Sequence, residues 1–553
     1  MVGRESGAEI VSLLEESLAD PLGIVDGGYY DTGQVVRQWA RYPERIPASV
    51  GRCGLEFLMR VQNPDGSWGN AHWPVSYRLV PSLGALVGLV ETINRPTIAS
   101  HSIWQATNAV RRALEFLTAD PARFSPAALP DTVAVELVVP AMLSDLREAL
   151  AAVPIGDMHL RFLARVDEAL AACGPYLDRL RALRTAAHGG HPLPVHMCHS
   201  LEVLGTVPSA LARPFGSDGP VGCSPAATAT VLGWSQGRSS ASIDFLTSQA
   251  ARCGGAQPDV LPIAVFERSW AIGALLRLGL PIPHTLRDQC AASLAQSLNP
   301  SGVALGPGMP VDGDLTSTIL FLLPQLGLPI APTCLLNFDE GGEAFCNYFG
   351  ERTASVTTNA HMLEAFGGWQ EHLPPEGHLF EPARAKITRF LLDAQGPDGC
   401  WTDKWHASPI YATACTTPAL RSYGGPLASG AVTRAVRWLM DTQRFDGSWG
   451  LWHGTLEDTA HALHTLFLCG QFCADITHLT AAITHGVQFL TNNADAQSSD
   501  PVRTPLWHGK ELFQPERISR MVILSALARY SISHESDSPP GSLSLGRTRQ
   551  SSR

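Results

Sequence analysis

The sequence predicts an all-α protein built of stacked helix pairs. Three observations carry that reading. Ala- and Leu-rich stretches with 3.6-residue spacing recur along the chain, as in Arg161–Leu170 and Ile272–Leu278. Convincing alternating strands are missing. A turn motif recurs between the helices: Gln62-Asn-Pro-Asp65-Gly66-Ser-Trp68, Gln395-Gly-Pro-Asp398-Gly399-Cys-Trp401 and Gln443-Arg-Phe-Asp446-Gly447-Ser-Trp449 share Q-x-x-D-G-x-W.

Each element of the motif has a mechanical reason. Asp-Gly makes a tight turn in which Gly supplies positive φ. The Trp returns to pack on the preceding helix end, and the Gln amide reaches free backbone groups there. Trp401 and Trp449 are 48 residues apart, the length of one helix pair with its loops. A degenerate copy is Ser297-Leu-Asn-Pro-Ser-Gly302-Val303. The three later copies lead into small or hydroxyl-rich helix starts: Asp314–Thr318, Tyr411–Ala414 and Glu457–Leu463. Each copy fastens one helix to the next, and helix pairs so stacked close into an α/α barrel or solenoid.

Composition narrows the function. Charged residues are 16% of the 553 against about 25% in typical domains, so much surface is turned inward. A net charge of −11 does not fit a nucleic-acid footprint. No apolar run approaches the ~18 residues of a membrane span. The acidic N-terminus (Glu5, Glu9, Glu15, Glu16) does not read as a signal peptide. The twelve cysteines are scattered, without a CxxC, as in a cytoplasmic protein with reduced thiols.

The repeats, together with Val311-Asp312-Gly313-Asp314-Leu315-Thr316, resemble the class II terpene cyclases, whose Asp-x-Asp-Asp-Thr motif protonates a polyprene and whose QW repeats tie together two α barrels, β and γ. Gly28-Tyr-Tyr30-Asp31-Thr32, Trp73–Pro81, Phe266–Trp270, Trp401–Pro409 and Trp507–Phe513 extend the resemblance over most of the chain. It implies an N-terminal segment (1–40) returning to the β barrel, a γ barrel (41–285) and a β barrel with the acid motif (286–532). The polar tail, 533–553, reads as disordered. Neither metal signature of the class I, diphosphate-ionising cyclases is present, so a bifunctional enzyme is not expected. The motif departs from the family at Leu315, where a third Asp is usual.

The resemblance assigns Asp314 as proton donor and Asp312 as its partner. Chemistry supports the pairing: an alkene is a very weak base, and two close carboxyls hold one proton in reserve because both cannot ionise together. Helix capping is the competing reading of the same residues. Thirteen Trp and nine Tyr offer ring faces for a carbocation, with Trp270, Tyr348 and Trp369 as candidate liners. Asn359 and His361, on a hydroxyl-rich helix, are candidates to hold a water or take the final proton. Arg78, Lys404 and Lys510, in segments that resemble the family, are candidates to bind the diphosphate, with magnesium as its counter-ion. No motif assigns the metal ligands or an oligomeric state.

The expected activity is an isomerase-type cyclisation of geranylgeranyl diphosphate (C20) to a bicyclic diphosphate, the product passing to a class I cyclase or a phosphatase. Farnesyl diphosphate giving a drimane-type product is the near alternative. A squalene-type cyclase, a protein prenyltransferase β-like barrel and a non-catalytic helical-repeat scaffold are the others. No stable membrane insertion is expected.

Overall fold

The structure is a computed structural model that describes residues 2–95, 100–151, 158–205, 219–235, 239–370 and 379–535. Its helices are α1 (Val2–Ala19), α2 (Tyr30–Arg41), α3 (Ala48–Val61), α4 (Val75–Ile93), α5 (Ser100–Leu117), α6 (Val135–Ala151), α7 (Met158–Ala172), α8 (Gly174–His188), α9 (Pro225–Trp234) and α10 (Ser240–Arg252). There follow α11 (Ala264–Arg277), α12 (His284–Ser297), α13 (Gly313–Gln325), α14 (Val356–Gln370), α15 (Glu381–Asp393), α16 (Pro409–Tyr423), α17 (Ser429–Thr442), α18 (Leu456–Cys469), α19 (Ile476–Asn492) and α20 (Glu516–Glu535). Two short hairpins interrupt them: β1 (Val303–Ala304) with β2 (Val311–Asp312), and β3 (Trp507–His508) with β4 (Leu512–Phe513).

The packing closes into two rings. In one, α11, α13, α14, α16, α18 and α20 each touch the next, and α20 returns to α11. Helices α1, α12, α15, α17 and α19 pack outside that ring. In the other, α2, α4, α6, the 3-10 stretch Val195–Leu204 and α9 form the inner wall, and α9 returns to α2. This is the all-α, double-barrel architecture expected. The inner helices are buried nearly all round, as helices wrapped by a second layer must be; α2 buries Tyr30 to Ala40 and α4 every residue from Leu79 to Thr92. The packing also moves two boundaries. Helix α2 packs on α3, α4 and α9, so it does not travel with α1 to the far barrel. Helix α11 packs on α13 and α20, so it is part of the C-terminal ring rather than of a barrel ending at 285. Of the polar tail, 533–535 continue α20, and 536–553 lie outside the described residues. No described helix is long and apolar enough to cross a membrane.

The repeated turns explain the ring spacing. Each Trp indole N–H donates back to the outer helix that precedes it: Trp68 to Leu58 O at 2.8 Å, Trp401 to Leu391 O and Trp449 to Leu439 O at 2.7 Å. Each Trp backbone N–H is taken by a hydroxyl on the inner helix that follows: Ser82, Thr413 and Thr459. The Gln reaches further than its sequence position suggests. Its amide bonds the carbonyl of its own turn glycine and then a carbonyl on the next outer helix, Ala109, Ala431 or Ala482, at 2.8–2.9 Å. Gly66, Gly399 and Gly447 take φ of +89°, +104° and +87°, which only glycine adopts without strain. One repeat therefore joins three helices.

Candidate active site

Inner helix α13 opens on Asp312. Its Oδ1 caps the helix by accepting from Leu315 N at 2.8 Å. Thr316 Oγ1 donates to Asp312 O at 2.6 Å and accepts from Val303 N at 2.8 Å, so the degenerate repeat copy keeps the same hydroxyl bond with Val in place of Trp. Gly313 N donates to Asn347 O at 3.0 Å, and Asp314 N donates to Asn347 Oδ1 at 2.7 Å. Position 313 must be glycine: a Cβ there would lie 2.8 Å from Met362 Cε and 2.9 Å from the Cys346 carbonyl oxygen. Five bonds thus fix the backbone from which both carboxyls project.

The two carboxyls are treated differently by their surroundings. Asp314 Oδ1 accepts from His361 Nδ1 on α14 at 2.6 Å. Asp314 Oδ2 has no hydrogen-bond partner among the described residues, and Asp314 lines the central cavity while only 8% exposed. Asp312 Oδ2 accepts from the Tyr348 hydroxyl. Burial, and then the neighbouring Asp314 charge, push the Asp312 carboxyl up to about 6, against the bonds from Leu315 N and Tyr348. Burial pushes the His361 imidazole down, but the Asp314 carboxylate pulls it up by more, to about 10.

The cavity holds ≈ 680 Å³. Its walls are rings: Phe266 and Trp270 from α11, Tyr411 from α16, Trp507 from β3, and Tyr348 beside the acid pair. Trp270 meets His361 edge to face at 5.4 Å and donates to the Tyr411 hydroxyl at 2.8 Å; Tyr411 lies 4.8 Å from Trp507. The solvent-facing rim is ionic. Lys404 Nζ is 2.5 Å from Glu351, Arg179 is 3.5 Å from Glu136, and Arg352 pairs with Asp131. Arg179, Asp131 and Arg352 are the exposed members, at 56%, 46% and 44%. Such a chamber can present a proton to an apolar chain and offer cations to an anionic head.

The expected residues divide. Asp312, Asp314, Tyr348, Trp270 and Lys404 all line the cavity. His361 touches Asp314 and so has its Nδ1 engaged with the acid rather than free for a departing proton. Asn359 is a correction: fully buried, it accepts from Phe345 N and donates to the carbonyls of Phe345 and Ser355 at 2.8–3.0 Å, which leaves it no site for water or substrate. Arg78 is another: its guanidinium bonds Asp65 and Ser67 of the first repeat turn at 2.7 Å. Lys510 is a third. It is fully enclosed, with Nζ bonding Glu202 at 3.0 Å, Asp31 at 3.2 Å and the Ser224 hydroxyl at 2.8 Å. Trp369 packs against the core and does not line the cavity. Sequence reasoning passed over Tyr411, Trp507, Arg179 and Arg352. Tyr411 could have been found, since it follows the Ser408 cap of an inner helix. Arg179 carried no such signal. Among the described residues no group of three His, Cys, Asp or Glu is placed to hold a metal ion.

Residues 350–502 match the squalene-hopene cyclase C-terminal domain family. The chain is 34% identical to the ent-copalyl diphosphate synthase of Streptomyces sp. (strain KO-3988), over 93% of this chain and 94% of that one. It is 36% identical to the labda-7,13-dienyl diphosphate synthase of Streptomyces clavuligerus, over 95% and 93%. Its fold matches the solved ent-copalyl diphosphate synthase from Streptomyces platensis with a TM-score of 0.81 and 34% identity, over 95% of this chain and all of that one. The chain belongs to the class II terpene cyclases.

Proposed function

We propose, with that membership as premise, that the enzyme cyclises geranylgeranyl diphosphate to a bicyclic diphosphate of the labdane class and keeps the diphosphate intact. One observation carries the reading: Asp314 presents an unbonded carboxyl oxygen to a ring-walled cavity that is also lined by three cations, Lys404, Arg179 and Arg352. The ≈ 680 Å³ available falls within the ~300–1,000 Å³ usual for small-molecule sites.

Asp314 Oδ2 gives its proton to the terminal alkene carbon, whose π pair forms the new C–H bond. The cation left on the neighbouring carbon is attacked by the next alkene, and that cation by the one after, so two C–C bonds form and two rings close. Loss of a proton restores one double bond, and the net change is an isomerisation. His361 bonds the carboxylate that Asp314 becomes, which lowers the cost of releasing the proton. Tyr348 donates to Asp312 and so holds the second carboxyl in place beside the first. Leu315 in place of a third Asp leaves this pair complete and gives the cavity an apolar wall.

Lys404, Arg179 and Arg352 receive the diphosphate, exchanging their carboxylate partners for it. Asp131, Glu136 and Glu351 would be the carboxylates available to a magnesium ion on the diphosphate, which would offset that group's charge. The bicyclic product leaves for a class I cyclase or a phosphatase, and the reaction is cytoplasmic. The domain division that goes with this reading is a γ barrel over 30–252 and a β barrel made of α1 and 264–535.

The test is incubation with magnesium and, separately, farnesyl diphosphate, geranylgeranyl diphosphate and squalene, followed by dephosphorylation and mass-detected gas chromatography. A bicyclic C20 alcohol seen only after dephosphorylation is the expected result. A C15 product would change the substrate, and cyclised squalene or silence with all three would overturn the reading.

A further inference from the structure

The start of α18 repeats the start of α13. Thr455 caps α18 as Asp312 caps α13, its Oγ1 accepting from Asp458 N at 3.1 Å. Thr459 Oγ1 donates to Thr455 O at 2.6 Å, as Thr316 does to Asp312 O at 2.6 Å. The same hydroxyl accepts the repeat-turn N–H, from Trp449 at 3.0 Å in one case and Val303 at 2.8 Å in the other. By this correspondence Glu457 stands on its inner helix where Asp314 stands on its own, and Asp458 stands where Leu315 does. The template that aims an acid into the cavity is present twice in the same ring.

Glu457 is aimed at the back of the cavity wall. It is 4% exposed. Its Oε1 accepts from the Trp507 indole N–H at 2.6 Å; its Oε2 accepts from Gln514 Nε2 at 2.8 Å and Ser519 Oγ at 2.9 Å. His406 and His461 bring Nε2 to 3.8 and 3.9 Å of Oε1. No described Lys or Arg forms an ion pair with it. Both oxygens are filled by donors, as suits a carboxylate, and the contacts with His406 and His461 oppose the upward push of burial. Trp507, whose N–H it takes, lines the cavity between Tyr411 at 4.8 Å and Phe266 at 5.4 Å. An indole that donates to a carboxylate gains electron density on its ring, and the negative charge one ring behind adds directly to the attraction for a cation in front.

We propose that Glu457 is a positioning residue for the carbocation: acting through Trp507, it draws the positive charge from the acid end to the Tyr411–Trp507 wall and holds it there until both rings have closed. A purely structural acceptor would not need a charge, because the donors of Trp507, Gln514 and Ser519 are all neutral. The proposal rests on the cyclase reading above.

The test compares wild type, Glu457→Gln, Trp507→Phe and the double variant on geranylgeranyl diphosphate with magnesium. It reads kcat, KM, product mixture and Tm. Glu457→Gln is expected to fold and keep KM within about twofold. Its kcat should fall about thirtyfold, the worth of a desolvated cation–π contact, and singly cyclised product should appear. Trp507→Phe should give the same shift, and the double variant should add little to either. A folded Glu457→Gln with wild-type kcat and products overturns the proposal while leaving the cyclase reading in place. Should that variant not fold, unchanged kcat and products in Trp507→Phe overturn it equally. A wild type inert on the diphosphate removes the premise, and the proposal falls with it.

Discussion

Two buried clusters of acidic residues can be set side by side. One is at the inner end of the cavity: Asp312, Asp314, His361 and Tyr348. The other is at the seam between the barrels: Asp31 from α2, Glu202 from the first ring, Asp259 from the connection between rings, and Lys510 with Glu511 from the β3–β4 turn. In the seam Lys510 reaches Asp31, Glu202 and Ser224, its backbone N–H donates to Asp259 at 2.9 Å, and Glu511 takes the N–H groups of Tyr29 and Tyr30. One cation serves four carboxylates there, and burial holds Asp259 and Glu511 well above the usual carboxylate range. Glu202 Oε2 and Asp259 Oδ1 are unbonded in the seam too, but none of the seam carboxylates lines the central cavity; they tie two barrels together. The acid cluster uses fewer groups, keeps one oxygen unbonded and turns it toward an apolar chamber. The same residue types are placed to brace the fold or to meet a ligand according to whether an unbonded oxygen opens onto a cavity.

Asp314→Asn breaks the contrast most completely. It should lower kcat by about 10³-fold, within the span of general acid catalysis, and also lower Tm because His361 loses its buried partner; steady-state kinetics with thermal melts checks both. Lys510→Met does the reverse. It strands buried carboxylates and should cost roughly 3–5 kcal/mol of stability, read by urea unfolding, while any folded fraction turns over normally. Asp312→Asn should cost about 10²-fold in kcat, since it alters the carboxyl beside the donor but not the donor itself.

A pH series sharpens the comparison further. His361 has a folded value raised from 6.5 to about 10, so its contribution to stability is complete below about 6.5 and is lost as pH rises toward 10. Tm should therefore fall between pH 7 and 10, and His361→Asn should flatten that slope in a melt series. The smallest effect is Arg78→Ala. Its guanidinium is spent on Asp65 and Ser67, so KM for the diphosphate should not move, and stability should drop by about 1 kcal/mol.

Much of the fold is legible in the sequence because the repeats are local devices. A Gln, a positive-φ glycine and a Trp within seven positions determine their own turn, and the indole bond always spans ten residues. The acid motif was legible for the same reason: a cap, a glycine and a hydroxyl fix the start of α13 from within five residues. The basic residues were not. Arg78 and Lys510 share with Lys404 a place in Trp-rich segments, yet one braces a turn, one locks the seam and only the third reaches the rim.

The sequence by itself determined the helices, the turns that link them and the carboxyl that caps into reach of a cavity, since short-range sterics and hydrogen bonds settle each. The tertiary structure decided which groups meet. His361 comes to Asp314 across 47 residues, Trp507 to Glu457 across 50 and Arg352 to Asp131 across 221. Those pairings depend on two rings closing and on how they face each other, and ring closure is a property of the whole packed core rather than of any segment.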